Sequence, residues 1–126
     1  LDAIINFTRG EEKVTGGTDV PADRIPPLNG RIGLLYEPNE VLTIEPFIVF
    51  ADSQTRLSPR DIRDVRIDPA GTAGWMTANL RASWLPNQKW HVTVSLENLL
   101  DKQYRHHGSG IDAVGRNFTV SFQVQW

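Results

Sequence analysis

The chain has 126 residues, 40% of them hydrophobic, and a formal net charge of −2 at pH 7, which suits one folded domain and argues against disorder and against a nucleic-acid-binding surface. It contains no cysteine, so disulfides, zinc–thiolate centres and thiol chemistry are excluded. No run of about 18 apolar residues exists, which excludes a transmembrane helix but not a transmembrane barrel, whose alternating strands keep mean hydropathy low.

The start, Leu1-Asp2-Ala3-Ile4, has no initiating Met and no cationic stretch followed by an apolar one, so a fragment or a processed chain is expected. A short first strand is predicted where Ala3, Ile5 and Phe7 oppose Asn6 and Thr8. After the polar stretch 11–25, a second strand at 28–36 sets Leu28, Gly30, Ile32, Leu34 and Tyr36 against Asn29, Arg31 and Gly33. Glu37-Pro38-Asn39-Glu40 reads as a tight turn. The third strand, 41–51, sets Leu42, Ile44, Pro46, Ile48 and Phe50 against Val41, Thr43, Glu45, Phe47, Val49 and Ala51. Pro46 cannot donate a ladder hydrogen bond, so a local bulge or weak pairing is expected there.

Beyond the long polar segment 52–73, Met76, Ala78, Leu80, Ala82 and Trp84 alternate with Thr77, Asn79, Arg81 and Ser83. Pro86-Asn87-Gln88 is a second tight turn. Trp90, Val92, Val94 and Leu96 then alternate with His91, Thr93, Ser95 and Glu97. After 98–115, Phe118, Val120, Phe122, Val124 and Trp126 alternate with Asn117, Thr119, Ser121, Gln123 and Gln125. The predicted fold is all-β: an antiparallel up-and-down meander of six strands, because the short turns permit hairpins but not parallel crossovers.

Connections thus run long-short-long-short-long, whereas soluble domains have median connections of about 4–6 residues. Outer-membrane barrels have that asymmetry, with short periplasmic turns and long extracellular loops. Strands of about ten residues, tilted about 40°, span about 25 Å, the height of a barrel's apolar band. Aromatic residues gather near the strand ends, at Tyr36, Trp75, Trp84, Trp90, Phe118 and Trp126, as they do at membrane interfaces. The competing reading is a soluble β-sandwich with core aromatics, a binding module for which a saccharide would be a natural ligand.

Three segments carry more than pattern. Ile25-Pro26-Pro27-Leu28-Asn29-Gly30-Arg31-Ile32-Gly33-Leu34-Leu35-Tyr36-Glu37 resembles the strand that follows a long loop near the end of TonB-dependent receptors. Glu97-Asn98-Leu99-Leu100-Asp101-Lys102-Gln103-Tyr104 is similar to the N-L-hydrophobic-D-x-x-Y that opens their last extracellular loop, and Gly115-Arg116-Asn117-Phe118 resembles their closing strand. Two features depart from the family: the final residue is Trp126 rather than Phe, and Pro46 lies within a strand. The resemblance implies that 1–126 is the C-terminal segment of a barrel of about 22 strands in the bacterial outer membrane, with the plug and most of the barrel absent. It implies energised uptake of a scarce nutrient such as a ferric siderophore, haem or cobalamin. The implied partners are outer-membrane lipid, the nutrient itself, the TonB energy-transducing complex acting through the missing N-terminal part, and barrel-insertion machinery. That machinery would read the closing strand, Phe118, Val120, Phe122, Val124 and Trp126, as its signal.

Among the candidate functional residues, His106 and His107 form the only histidine pair. Imidazole suits an iron chelate or haem, although neighbours on an extended segment point apart and do not readily share one ion. The loop Arg56–Asp68 carries four Arg and three Asp; Arg60 and Arg63 would suit an anionic chelate, while interleaved signs favour internal pairing that orders the loop. Arg31, Glu45, Arg81 and Glu97 lie on polar strand faces and would line a barrel's lumen. Ser109 and Asp112 flank the histidines without the oriented base and oxyanion hole of a triad, and Gly16-Gly17 and Gly108-Ser109-Gly110 read as loop tips. No enzyme, resident metal or cofactor is expected.

Overall fold

The computed structural model describes residues 1–126. In chain order the elements are β1 (Asp2–Asn6), β2 (Glu11–Glu12), β3 (Val20–Pro21), β4 (Asn29–Gly33), β5 (Tyr36–Asn39), β6 (Leu42–Ala51), the helix α1 (Pro59–Arg63), β7 (Trp75–Asn87), β8 (Trp90–Glu97) and β9 (Asn117–Val124). One sheet has the order β1-β4-β6-β7-β8-β9, with β5 also pairing β6, and every pair is antiparallel. The expected meander is therefore the fold. Two elements of the long loops were not foreseen: the β2–β3 pair and α1.

The strand expected at 28–36 is broken into β4 and β5, and Pro46 lies opposite the break. Leu34 N donates to the Pro46 carbonyl at 3.0 Å, so the backbone edge of Pro46 faces β4 and β5. Its missing N–H therefore falls where the two strands part, and the ladder toward β7 stays intact through the Pro46–Leu80 pair. The predicted bulge appears as a strand break.

Both tight turns lie later than expected. Tyr36–Asn39 and the Pro86-Asn87 step are strand, and the chain reverses at Glu40-Val41 and Gln88-Lys89. Asparagine chemistry drives each reversal: Asn39 Oδ1 accepts from Val41 N at 3.1 Å, and Asn87 Oδ1 accepts from Lys89 N at 2.9 Å. A register irregularity precedes each turn, between Tyr36 and Asn39 and between Trp84 and Asn87. Pro38 and Pro86 occupy these bulges, where a missing donor does no harm.

Alternation sorts the two faces. The pairs Trp90–Val124, Val92–Phe122, Val94–Val120 and Leu96–Phe118 build an apolar face, and Ile44–Ala82, Ile48–Ala78 and Phe50–Met76 continue it. Phe118, Val120, Phe122 and Val124 share that face; Trp126 lies two residues beyond β9 and is fully exposed. No second sheet of these 126 residues covers it, the only other sheet being the two-stranded β2–β3, so they do not form a two-sheet sandwich among themselves. Buried residues number 11 of 126, and the buried hydrophobic ones are only Phe47, Ile67 and Trp75, so the molecule has its apolar surface outside and a mainly polar interior.

Trp75 corrects an expectation. It was grouped with the interface aromatics, yet it has the parity of Thr77 and Asn79, is buried on the polar face and stacks on Tyr104 with ring centres 4.1 Å apart.

Candidate functional site

Three long loops leave the same end of the sheet: 7–28 between β1 and β4, 52–74 between β6 and β7, and 98–116 between β8 and β9. The middle loop is shaped by a capping box. Ser58 Oγ accepts from Asp61 N at 2.9 Å, Asp61 Oδ2 accepts from Ser58 N at 3.3 Å, and Pro59 occupies the first turn of α1. Asp61 is only 1% exposed.

Arg24 joins all three loops. Its backbone N donates to Asp61 Oδ2 at 3.3 Å, its guanidinium pairs with Asp61 and Asp64, and Nη1 donates to the Gly108 carbonyl at 3.3 Å. Further ties run from Arg56 to Glu11 at 2.7 Å and to the Gly10 carbonyl at 3.0 Å, and from Gln54 Nε2 to the Ile25 carbonyl at 2.8 Å. Arg66 hydrogen bonds, with help from Arg24, hold the Asp64 carboxyl well below the usual carboxylate range.

The loop 98–116 is stapled at its root. Asn98 adopts φ 51°; its Nδ2 donates to the carbonyls of Lys102 at 2.9 Å and Val114 at 3.2 Å, and its Oδ1 accepts from Lys102 N at 2.8 Å. Asp101, at φ 54°, accepts from Arg116 N at 3.0 Å. The Asn-Leu-Leu-Asp step is thus a folding device, using residue types that tolerate the left-handed region and bond to nearby backbone.

The histidines divide their attachments. His106 sets its ring edge-on to Trp75, with centres 4.9 Å apart. His107 Nδ1 lies 2.9 Å from Thr72 Oγ1, and its Nε2 is buried without a partner. Burial lowers the His107 pKa, against the pull of the Asp61 charge, and burial raises that of Tyr104, assisted by Glu97. Both histidines line a cleft of about 320 Å³ with Pro26, Pro27, Asn29 and Trp75. Trp75 and His106 also line a second cleft of about 210 Å³, on the side of Thr77, Asn79 and Tyr104.

Of the loop arginines, Arg60 is exposed and pairs with Asp23 at 3.2 Å, while Arg63 makes no ion pair. On the sheet, Glu45 lies between Arg31 at 2.6 Å and Arg81 at 3.6 Å, and both guanidinium groups lie over the Phe47 ring, 4.3 Å and 5.6 Å from its centre. Arg31 also meets Asp2 at 2.8 Å. Glu97 stands apart from this group, 3.5 Å from Asn117 Nδ2. From sequence, Arg24 and Asp61 have no assigned role, Trp75 falls among the interface aromatics and Tyr104 is only the end of the loop motif. The parity of Trp75 and the spacing of Ser58 and Asp61 were readable signals; nothing local marks Arg24.

The arrangement is that of a segment of β-barrel wall: one antiparallel up-and-down layer, apolar on its uncovered face and polar on the other, with its long loops at one end. No family model and no curated protein matches the chain. Among solved structures it is similar to the copper transporter OprC, with a TM-score of 0.70 and 20% identity over 84% of this chain. The match covers 18% of the OprC chain, so the likeness is one of fold over a small part of a longer protein.

Proposed function

We propose that this chain is part of the barrel wall of a TonB-dependent receptor in the bacterial outer membrane, which takes up a scarce nutrient by binding and release without covalent chemistry. The single observation that carries the reading is the uncovered apolar face behind a polar, loop-capped one, a distribution that suits a sheet bordered by lipid. The shared fold with OprC supports it, as does the sequence resemblance. The cargo class is a metal chelate or cofactor: a ferric siderophore, haem or cobalamin, with a copper species added by the likeness to OprC. In this reading the loops 7–28, 52–74 and 98–116 are extracellular, the turns at Glu40-Val41 and Gln88-Lys89 are periplasmic, and cargo meets His106, His107, Arg60 and Arg63. Lipid covers the apolar face, Arg31, Glu45, Arg81 and Glu97 face the lumen, and the TonB complex and the insertion machinery are the protein partners.

The test is made on the full-length protein in its own cells. It should fractionate with the outer membrane, and uptake of labelled ferric siderophore, haem, cobalamin or copper should fall when either the receptor or TonB is removed. Recovery in the soluble fraction, or uptake indifferent to TonB for all four probes, would overturn the reading.

A further inference from the structure

The tip of the last long loop, residues 105–112, is braced as one piece. Its base is held by the Asn98 and Asp101 side chains and by Ala113 N donating to the Tyr104 carbonyl at 2.9 Å. Beyond that base the tip braces itself, with Arg105 and Asp112 paired at 2.7 Å and Ser109 N donating to the His106 carbonyl at 2.9 Å. Gly108, at φ 78°, lets it fold back on itself.

Few contacts attach the tip to the rest of the protein. Arg24 donates to the Gly108 carbonyl, His107 meets Thr72 Oγ1, the His106 ring edge leans on Trp75, and the stem of Arg66 lies near Gly110. The second and third involve His106, His107 and Trp75, which line the 320 Å³ cleft; its other lining residues belong to strand ends and to Pro26-Pro27. The Arg24 contact is to Gly108, the neighbour of His107. Arg24 is itself aimed by Asp61 and Asp64 from the middle loop, so the tip is caught by a charge held from two other loops.

We propose that residues 105–112 form a lid over this cleft and that Arg24 is its catch, with Thr72 as a second pin. What the lid admits rests on the receptor reading above; its opening does not.

The absence of native cysteine from these 126 residues permits a direct measurement. Ala51, which lines the cleft, is changed to Cys in the full-length protein on a background without other reactive thiols, and its labelling by a charged methanethiosulfonate is timed in detergent and in intact cells. Arg24→Gln should speed labelling about tenfold, as expected when one charge-assisted contact leaves the closed state. Thr72→Val should also speed it, and Arg9→Gln, which breaks only the exposed Arg9–Glu11 pair, should not. If Arg24→Gln does not fold, Thr72→Val decides. Rates within twofold of the parent for the folded variants would overturn the lid. Faster labelling in detergent with no labelling in cells would uphold the lid and overturn the extracellular placement.

Discussion

Replacing Asn98 with alanine strikes the last long loop at its root. The carboxamide makes three hydrogen bonds, to Lys102 O at 2.9 Å, Val114 O at 3.2 Å and Lys102 N at 2.8 Å, and the residue is 3% exposed. Each such bond contributes about 1 kcal/mol net, and more when its loss leaves a buried backbone group unpaired. The φ of 51° adds about 1 kcal/mol against alanine, which tolerates the left-handed region poorly. The sum is about 4 kcal/mol, or on the order of a thousandfold in the local opening equilibrium. Hydrogen exchange of the amides between Leu99 and Gly115, in detergent-solubilised full-length protein, reads that equilibrium. Asn98→Gly removes the same bonds but accepts the dihedral, so its amides should exchange roughly fivefold more slowly than those of Asn98→Ala. An Asn98→Ala effect below about threefold, or a glycine variant that exchanges as fast as the alanine one, would refute the reasoning.

Three further outcomes are expected. Gly30→Ala should lower the folded, heat-modifiable fraction, because the new Cβ would lie 2.4 Å from the Ile4 carbonyl oxygen and force β1 off β4, while Gly17→Ala, which meets only a Val14 methyl at 3.1 Å, should not; equal folding of both sinks the argument. Since Asp64 titrates well below its unfolded value, its stabilisation is present above about pH 4 and is lost as pH falls through the lowered folded value. Protease resistance of the loop 52–74 should therefore hold from neutral pH to about pH 4.5 and decline below about pH 4. Asp64→Asn should reduce that decline, with the remainder carried by Asp23, whose carboxyl pKa is lowered by Ser58 and Arg60 of the same loop. Deleting Trp126 from the full-length protein should lower its outer-membrane level, measured by immunoblot, more than Gln125→Ala does; equal levels would remove Trp126 from any insertion signal.

What could be read from the residues and what could not separate by the range of the cause. Period-two alternation is local, so the faces of β6 to β9 and the pairing order followed from it directly. Trp75 was misplaced because its position near a strand end was weighed above its parity, which the residues themselves display. The turns lie one or two residues later than the Pro-containing segments suggest, because proline lies in the bulge and asparagine makes the reversal. Arg24 was invisible for another reason: its partners lie 37, 40 and 84 residues away, and only the folded meander brings the three loops to one residue. For the same reason Arg31, Glu45 and Arg81 could be assigned a face but not a mutual geometry.

The two Asn-centred reversals have a consequence for pairing order. On both sides of each turn the apolar residues carry even numbers, so a sheet with one apolar face must pair even with even, as Tyr36 pairs Ile44 and Trp84 pairs Val92. A two-residue reversal does the opposite at its own step, joining Asn39 to Leu42 and Asn87 to Trp90, odd with even. The single extra residue before each turn restores the match, and proline there keeps it from being zipped into the ladder. A slip that erased either bulge would set every side chain on the apolar face of one strand beside the polar side chains of its neighbour. Each hairpin thus counts its own residues, and the strands that follow inherit the correct face from that count.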